Sequence, residues 1–251
     1  MKSFKEFHLH FINEQVDIEE SLKDWVRNIV LAASLFSAGE KDLSAEKITL
    51  YPGGRAVYTD TGEPVDLNKK RKTIPQNTLL TVKADTPEAR KELLKKMAIA
   101  SGIKGVELRH FLAQASHETL DFSKLEEIGS SDKFEKKYGL GTKKGKILGN
   151  DRSGDGSKYR GRGFLQLTGK YNYDKIGKMI NLNLVSDPGM VSKYPGVAAA
   201  TAIAYWKWRV KPNVKSFTTK NSVQTITKQI AGSSTEKHLG RRQYLTKKIK
   251  T

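Results

Sequence analysis

The chain contains no cysteine. Disulfides and thiolate metal centres are therefore excluded, and the composition fits a protein that matures in a reducing compartment. Long apolar runs are also missing: none approaches the roughly eighteen residues that a bilayer span requires. Histidine is scarce, with five in 251 residues. His110 and His117 do not have the i, i+4 spacing with which a helix offers two ligands to one ion. No metal and no cofactor are expected. Helix-turn-helix, zinc-finger and aromatic-interleaved basic patterns are missing too, so nucleic acid is not an expected partner.

Acidic residues are unevenly distributed. Residues 1–90 carry 13 basic and 14 acidic side chains, a net of −1, whereas residues 91–251 carry 32 and 13, a net of +19. A field of that sign attracts polyanions, including the acidic surface of a bacterial envelope. From Lys237 to Lys250 the chain is basic without an acid, and this tail is a candidate for contact with an anionic envelope. The hydrophobic fraction of 37% suits a modest, mostly helical core.

Residues 1–40 read as an N-terminal helical segment or leader. The apolar stretch Ile29–Phe36 resembles the core of a secretory signal. However, Glu14, Asp17, Glu19, Glu20 and Asp24 precede it, where a signal carries positive charge. Over residues 41–86 the character changes. Ile48–Leu50, Ala56–Tyr58 and Thr78–Val82 are short apolar or β-branched runs between turn signals, which predicts a small β-rich unit or linker. Residues 87–251 read as one helical catalytic domain. Thr86-Pro87-Glu88 is a helix start, and that helix should run to Gly102. A second begins near Val106, with Leu108, Phe111, Leu112 and Ala115 on one face. At 100° per residue Glu118 falls on the margin between core and solvent. Desolvation there favours the protonated form that an acid catalyst needs. Later helices are expected at Tyr173–Ile180, Val197–Trp208 and Val223–Ile230, with the tryptophans of the middle one in the core.

Two segments carry chemistry. Phe111-Leu112-Ala113-Gln114 leads through His117-Glu118-Thr119, and Glu126 and Glu127 follow. Tyr159-Arg160-Gly161-Arg162-Gly163-Phe164-Leu165-Gln166-Leu167-Thr168-Gly169 then supplies a glycine-punctuated stretch suited to close approach by a polymer. Paired carboxyl groups are the minimum equipment for cleaving a glycosidic bond. Arg160 and Arg162 are candidates for meeting substrate carboxylates, or for pairing with Glu118 or Glu127.

These blocks, with Gly154-Asp155-Gly156, Asn172-Tyr173, Asp187-Pro188 and Ala202–Trp206, resemble the family 19 glycoside hydrolases. That family holds the plant-type chitinases and, more similar to this chain, the chitinase-like endolysins of bacteriophages. The resemblance covers about residues 87–235. It implies a mainly α, lysozyme-like, two-lobed domain with a substrate groove, preceded here by the small β-containing region. It also implies an inverting mechanism, with Glu118 as general acid, Glu127 as general base and Glu126 as the fallback base. Thr168 would help position the water. His117, Gln166, Tyr171, Asn172, Arg160 and Arg162 would bind substrate.

The substrate implied is bacterial peptidoglycan, cut by a monomeric lysin. Such a protein waits in the host bacterial cytoplasm, or rides in the virion, before reaching the periplasmic wall. Chitin is the alternative substrate, and a catalytically weakened, virion-associated wall-binding protein is the alternative role. Two departures stand out. Ile230-Ala231-Gly232-Ser233-Ser234 lies where the family commonly has asparagine-glycine-glycine. Leu120-Asp121-Phe122 follows Thr119 where paired small residues are usual.

Overall fold

The computed structural model describes residues 48–50, 56–58, 78–218, 222–232 and 236–249. The segment expected to be a helix or leader at residues 1–40 lies outside the described residues. Of the β-rich unit, β1 (Ile48–Leu50) pairs antiparallel with β2 (Ala56–Tyr58), placing Thr49 opposite Val57. Thr78–Thr81, expected as a third extended run, is instead a helical turn, α1. The reason is tertiary, because α1 lies against the start of the central helix. A methyl group on Gly196 would come within 2.6 Å of the Leu79 carbonyl oxygen, so β-propensity yields to a close backbone contact.

Helix α2 (Pro87–Ala100) begins as the sequence predicts. The Thr86 hydroxyl accepts the Ala89 N–H at 3.1 Å, and Pro87 fills the first turn, where no intrahelical donor is needed. Helix α3 (Gly105–Glu118) buries Leu108, Phe111, Leu112 and Ala115 and ends on Glu118. The short helices α4 (Ser131–Tyr138), α5 (Lys143–Ile147) and α6 (Asp155–Lys158) follow. Their few buried residues left no periodic signal in the sequence. Helices α7 (Lys170–Met179), α8 (Met190–Lys193) and α9 (Pro195–Tyr205) complete the central layer.

Every residue of α9 from Gly196 to Tyr205 is buried. A helix that is apolar on all sides belongs inside a core. Its small residues let α1, α2, α7 and α8 approach it closely. After Tyr205 the helix widens into a π-helical turn, Trp206–Val210. Trp206 enters the core and meets Phe111 edge-on at 5.2 Å, but Trp208 is only partly buried. Helices α10 (Ser222–Ala231) and α11 (Glu236–Lys248) close the chain.

The basic C-terminal segment, the candidate for envelope contact, packs one face along α3 and buries Arg242, Leu245 and Ile249, while Arg241, Lys247 and Lys248 are exposed. Among the described residues no helix is long and apolar enough to cross a membrane.

Candidate active site

Glu118 sits at the last turn of α3 with its side chain 18% exposed, on the margin where helical periodicity placed it. Its surroundings correct the sequence reading. Arg242, buried in α11, donates to Glu118 through Nη2 and to Gln114 Oε1 through Nε at 2.7 Å. Gln114 in turn donates to the Thr227 hydroxyl at 3.4 Å. Burial lowers the Arg242 guanidinium pKa, and the Glu118 carboxylate opposes that shift. Desolvation is therefore not the only influence on Glu118, since a guanidinium in contact favours the ionised carboxyl. His117 lies half-buried beside it.

The turn after Glu118 is left-handed over three consecutive residues, with φ 51° at Leu120, 56° at Asp121 and 65° at Phe122. Non-glycine residues avoid that region because the Cβ crowds the following carbonyl oxygen. The conformation is held from several directions. The Thr119 hydroxyl accepts the Phe122 N–H at 2.9 Å, and the Asp121 N–H reaches the Ser116 carbonyl at 2.8 Å. The Arg90 guanidinium donates to the carbonyls of Phe122 and Ser123 at 3.1 and 3.0 Å. Asp121 is tied to its neighbours. It accepts from Ser116 Oγ at 2.5 Å and from Arg241 at 2.6 Å, and the serine bond, then the arginine, hold its carboxyl below the ordinary range.

Leu120, 59% exposed, bears strain without compensating burial. Leu120→Gly is expected to raise stability by about 1 kcal/mol, the left-handed penalty outweighing the added chain entropy. A thermal melt a few degrees higher would show it, and an unchanged or lower midpoint would mean that Leu120 makes a contact worth more than the strain.

The two later acids lie in an extended segment alongside the glycine-rich stretch. The Glu127 N–H reaches the Gly161 carbonyl and the Gly163 N–H reaches the Leu125 carbonyl, both at 2.8 Å. Arg162 and Leu167 close a small hairpin, with Gly163 at φ 75° and Gln166 at φ 51° in its turn. A methyl on Gly163 would sit 2.9 Å from Val191 Cγ1. Successive side chains of an extended segment point to opposite sides, and the two acids diverge accordingly.

Glu126 Oε1 accepts from Arg160 at 2.5 Å and from Arg162 at 2.9 Å, while its Oε2 accepts from Ser192 Oγ at 3.4 Å. Arg162 also donates to the Lys158 carbonyl and to the Tyr173 hydroxyl. Burial, the first of several influences, pushes that phenol up to about 12. Arg160 and Arg162 therefore pair with Glu126 and not with Glu118 or Glu127. Both guanidiniums neutralise Glu126, and Arg162 is 4% exposed. The fallback acid is a staple between two chain segments.

Glu127 stands elsewhere. Its Oε1 accepts from Lys137 at 3.0 Å and from Tyr138 at 3.2 Å, and its Oε2 accepts the Gly161 N–H at 3.2 Å. Burial pulls the Lys137 ammonium down, but its hydrogen bonds to Tyr138 and Glu127 outweigh it and raise the group overall. Burial pushes the Tyr138 phenol up, so both remain donors to Glu127 near neutral pH. Glu127, Gln166 and Thr168 converge on one point. A methyl built on Gly161 would lie 2.8 Å from Gln166 Oε1, 3.1 Å from Glu127 Oε2 and 3.3 Å from Thr168 Oγ1. Only glycine fits there, because any side chain would crowd all three groups.

Gly161→Ala is expected to lower turnover about ten- to a hundredfold, since a displacement near 1 Å at a reacting group has that effect. The melting temperature should change little, because the crowded Gln166 can turn away. Full activity in steady-state assays would show that the close packing at Gly161 does not position these groups.

Of the remaining expected substrate contacts, Asn172 donates to the Thr168 carbonyl at 2.7 Å and steadies that segment. Tyr171 is 54% exposed. Asp155 of the Gly-Asp-Gly block accepts the N–H groups of Asp151 and Arg152 at 3.1 and 3.0 Å, a structural use. Among the described residues no three histidine or acidic side chains are grouped to hold a metal ion. Sequence reasoning missed Arg242, Lys137 and Tyr138. Arg242 carried a faint signal, as an arginine at the i, i+3, i+7 position of an otherwise apolar stripe with Leu245 and Ile249.

The class I chitinase family model matches residues 97–243. An endochitinase of Arabidopsis thaliana is 35% identical over 109 residues, covering 42% of this chain and 34% of that protein. A protein of Haemophilus influenzae described as containing a glycosyl hydrolase family 19 domain is 33% identical over 145 residues, covering 49% of this chain and 68% of its own length. The chain thus spans about a third of the first plant relative, and the shared part is the domain described above. The crystal structure of a bacterial family 19 chitinase superposes with a TM-score of 0.41 at 20% identity, over 57% of this chain and 72% of that one.

Proposed function

Because this chain belongs to the class I chitinase family, glycoside hydrolase family 19, we propose that it hydrolyses β-1,4 bonds of bacterial peptidoglycan, as a bacteriophage endolysin does. The bond cut joins N-acetylmuramic acid to N-acetylglucosamine. One observation carries the reading: Glu127 and Thr168 border Gly161 in the glycine-rich stretch, and Glu118 stands at the end of α3 on the margin of the core. Glu127 accepts from an ammonium, a phenol and a backbone N–H, and Thr168 Oγ1 borders the same glycine, Gly161. A water held between Glu127 and Thr168 would lose a proton to Glu127 as it attacks the anomeric carbon. Glu118 donates its proton to the leaving oxygen from the opposite side. That division inverts the anomeric configuration, with the carboxyls about 6.5–9.5 Å apart to admit the water. Before substrate arrives Arg242 favours the ionised Glu118. A bound sugar strand displaces water from the carboxyl and shifts the balance toward its protonated form.

The net charge of +19 over residues 91–251 supports a polyanionic wall as substrate. A lysin of this kind accumulates in the host cytoplasm and acts once it reaches the periplasm. The named chitinases among its relatives favour a second reading, a chitin substrate. Purified protein incubated with sacculi and with chitin oligomers should release reducing ends from sacculi, and early products should carry the inverted anomer by NMR. Cleavage of chitin alone would transfer the assignment to the second reading, and a retained anomer would exclude the inverting roles.

A further inference from the structure

We propose that Trp208 and Arg209 form a sugar subsite beside Glu118 that selects a ring bearing a carboxylate substituent, such as the lactyl or peptide arm of wall glycan. The proposal rests on the peptidoglycan reading and names what would distinguish that polymer from chitin. It begins at the π-helical turn Trp206–Val210, a widening that often marks a functional position. Trp206 faces the core, while Trp208, two residues on, is partly exposed. The Trp208 ring lies 6.2 Å from Tyr171 and stands edge-on to Tyr205 at 5.9 Å. Tyr171 is three residues past Thr168 and largely exposed. Tyr205 is buried, donates to the Gln229 carbonyl at 3.0 Å, and feels both Arg209 and Glu118. The aromatic run Tyr171–Trp208–Tyr205 therefore extends from the segment bearing Thr168 to the neighbourhood of Glu118.

Arg209 adds the charge. Its guanidinium lies 5.8 Å from the centre of the Trp208 ring, and the residue is exposed. Arg160 and Arg162 pair with Glu126, Arg241 with Asp121, and Arg242 with Glu118. Among the described residues no carboxylate pairs with Arg209. A guanidinium stacked on an indole and lacking an acid partner is suited to bidentate capture of a carboxylate from outside. The adjacent aromatic faces suit the apolar side of a pyranose ring. A neutral N-acetylglucosamine polymer would use only the rings. A polymer with carboxylate arms would use both.

The test is NMR titration of the full chain and its Arg209→Gln variant with two probes: the disaccharide of N-acetylglucosamine and N-acetylmuramic acid, and neutral diacetylchitobiose. The wild-type protein should prefer the acidic probe. Arg209→Gln should lose about tenfold in affinity for it, the loss expected of a partly exposed charge-assisted contact, with the neutral probe unaffected. Trp208→Ala should weaken both. An unchanged preference in Arg209→Gln, or no preference in the wild type, overturns the proposal. Failure of the wild type to degrade sacculi would instead strike the peptidoglycan assignment, and the binding comparison would still be decided on its own.

Discussion

Glu118→Gln is expected to reduce glycan hydrolysis by about 10²–10⁴-fold, the range over which a positioned proton donor contributes. Glutamine is nearly isosteric, and its carbonyl can still accept from the buried Arg242 guanidinium that now meets Glu118. The substitution therefore removes the transferable proton while keeping the contact between α3 and α11. The loss should appear in kcat, with KM little changed and a melting curve close to that of the wild type. Turnover above about a tenth of the wild-type rate would remove Glu118 from the acid role. Neighbouring acids sharpen the comparison. Glu127→Gln should be comparably severe. Glu126→Gln should act mainly through stability, because it leaves Arg160 and Arg162 without their shared carboxylate.

Arg242→Met should have the largest effect on stability. The side chain is only 2% exposed and meets Glu118 and Gln114 together. Removing one partner of a buried charged pair costs about 3 kcal/mol or more, since the contact is lost while the remaining charge stays desolvated. For a domain of this size that lowers the melting temperature by about 6–12 °C. Activity should fall as well, because Glu118 loses the group that fixes its position. The pH–rate profile separates this from simple loosening. Without an opposing positive charge the acid keeps its proton to higher pH, so the alkaline limb should move upward in whatever activity remains. Arg242→Lys should restore the limb while recovering only part of the stability, because one ammonium cannot reproduce the fork that serves Glu118 and Gln114. An Arg242→Met variant with wild-type stability and profile would rule out the clamp.

Several elements were legible because their causes are local. The cap at Thr86, the apolar face of α3 and the all-apolar α9 follow from spacing and side-chain type alone. The residues of the catalytic proposal were also visible, because a carboxyl at a helix end and a glycine-punctuated stretch are sequence patterns. Thr78–Thr81 was misread because a short β-branched run lies close to the helix–strand balance and a contact with Gly196 tips it. The acid that Arg160 and Arg162 meet was not legible for a related reason. Spacing in an Arg-Gly-Arg segment cannot say which acid its guanidiniums will meet.

What the sequence by itself determined is the helical framework, the carboxyl at its exposed edge and the backbone freedom at Gly161 and Gly163. Each depends on interactions within a few residues. What only the tertiary structure decided is which neighbouring acid stands beside Thr168 and which is spent on arginines. The divergence of Glu126 and Glu127 follows from pairing their segment with residues 161–163, since alternation sends adjacent side chains to opposite sides. The Arg242 clamp joins residues 124 positions apart. Contacts of that range are set by how α3 and α11 pack, and no local pattern encodes them.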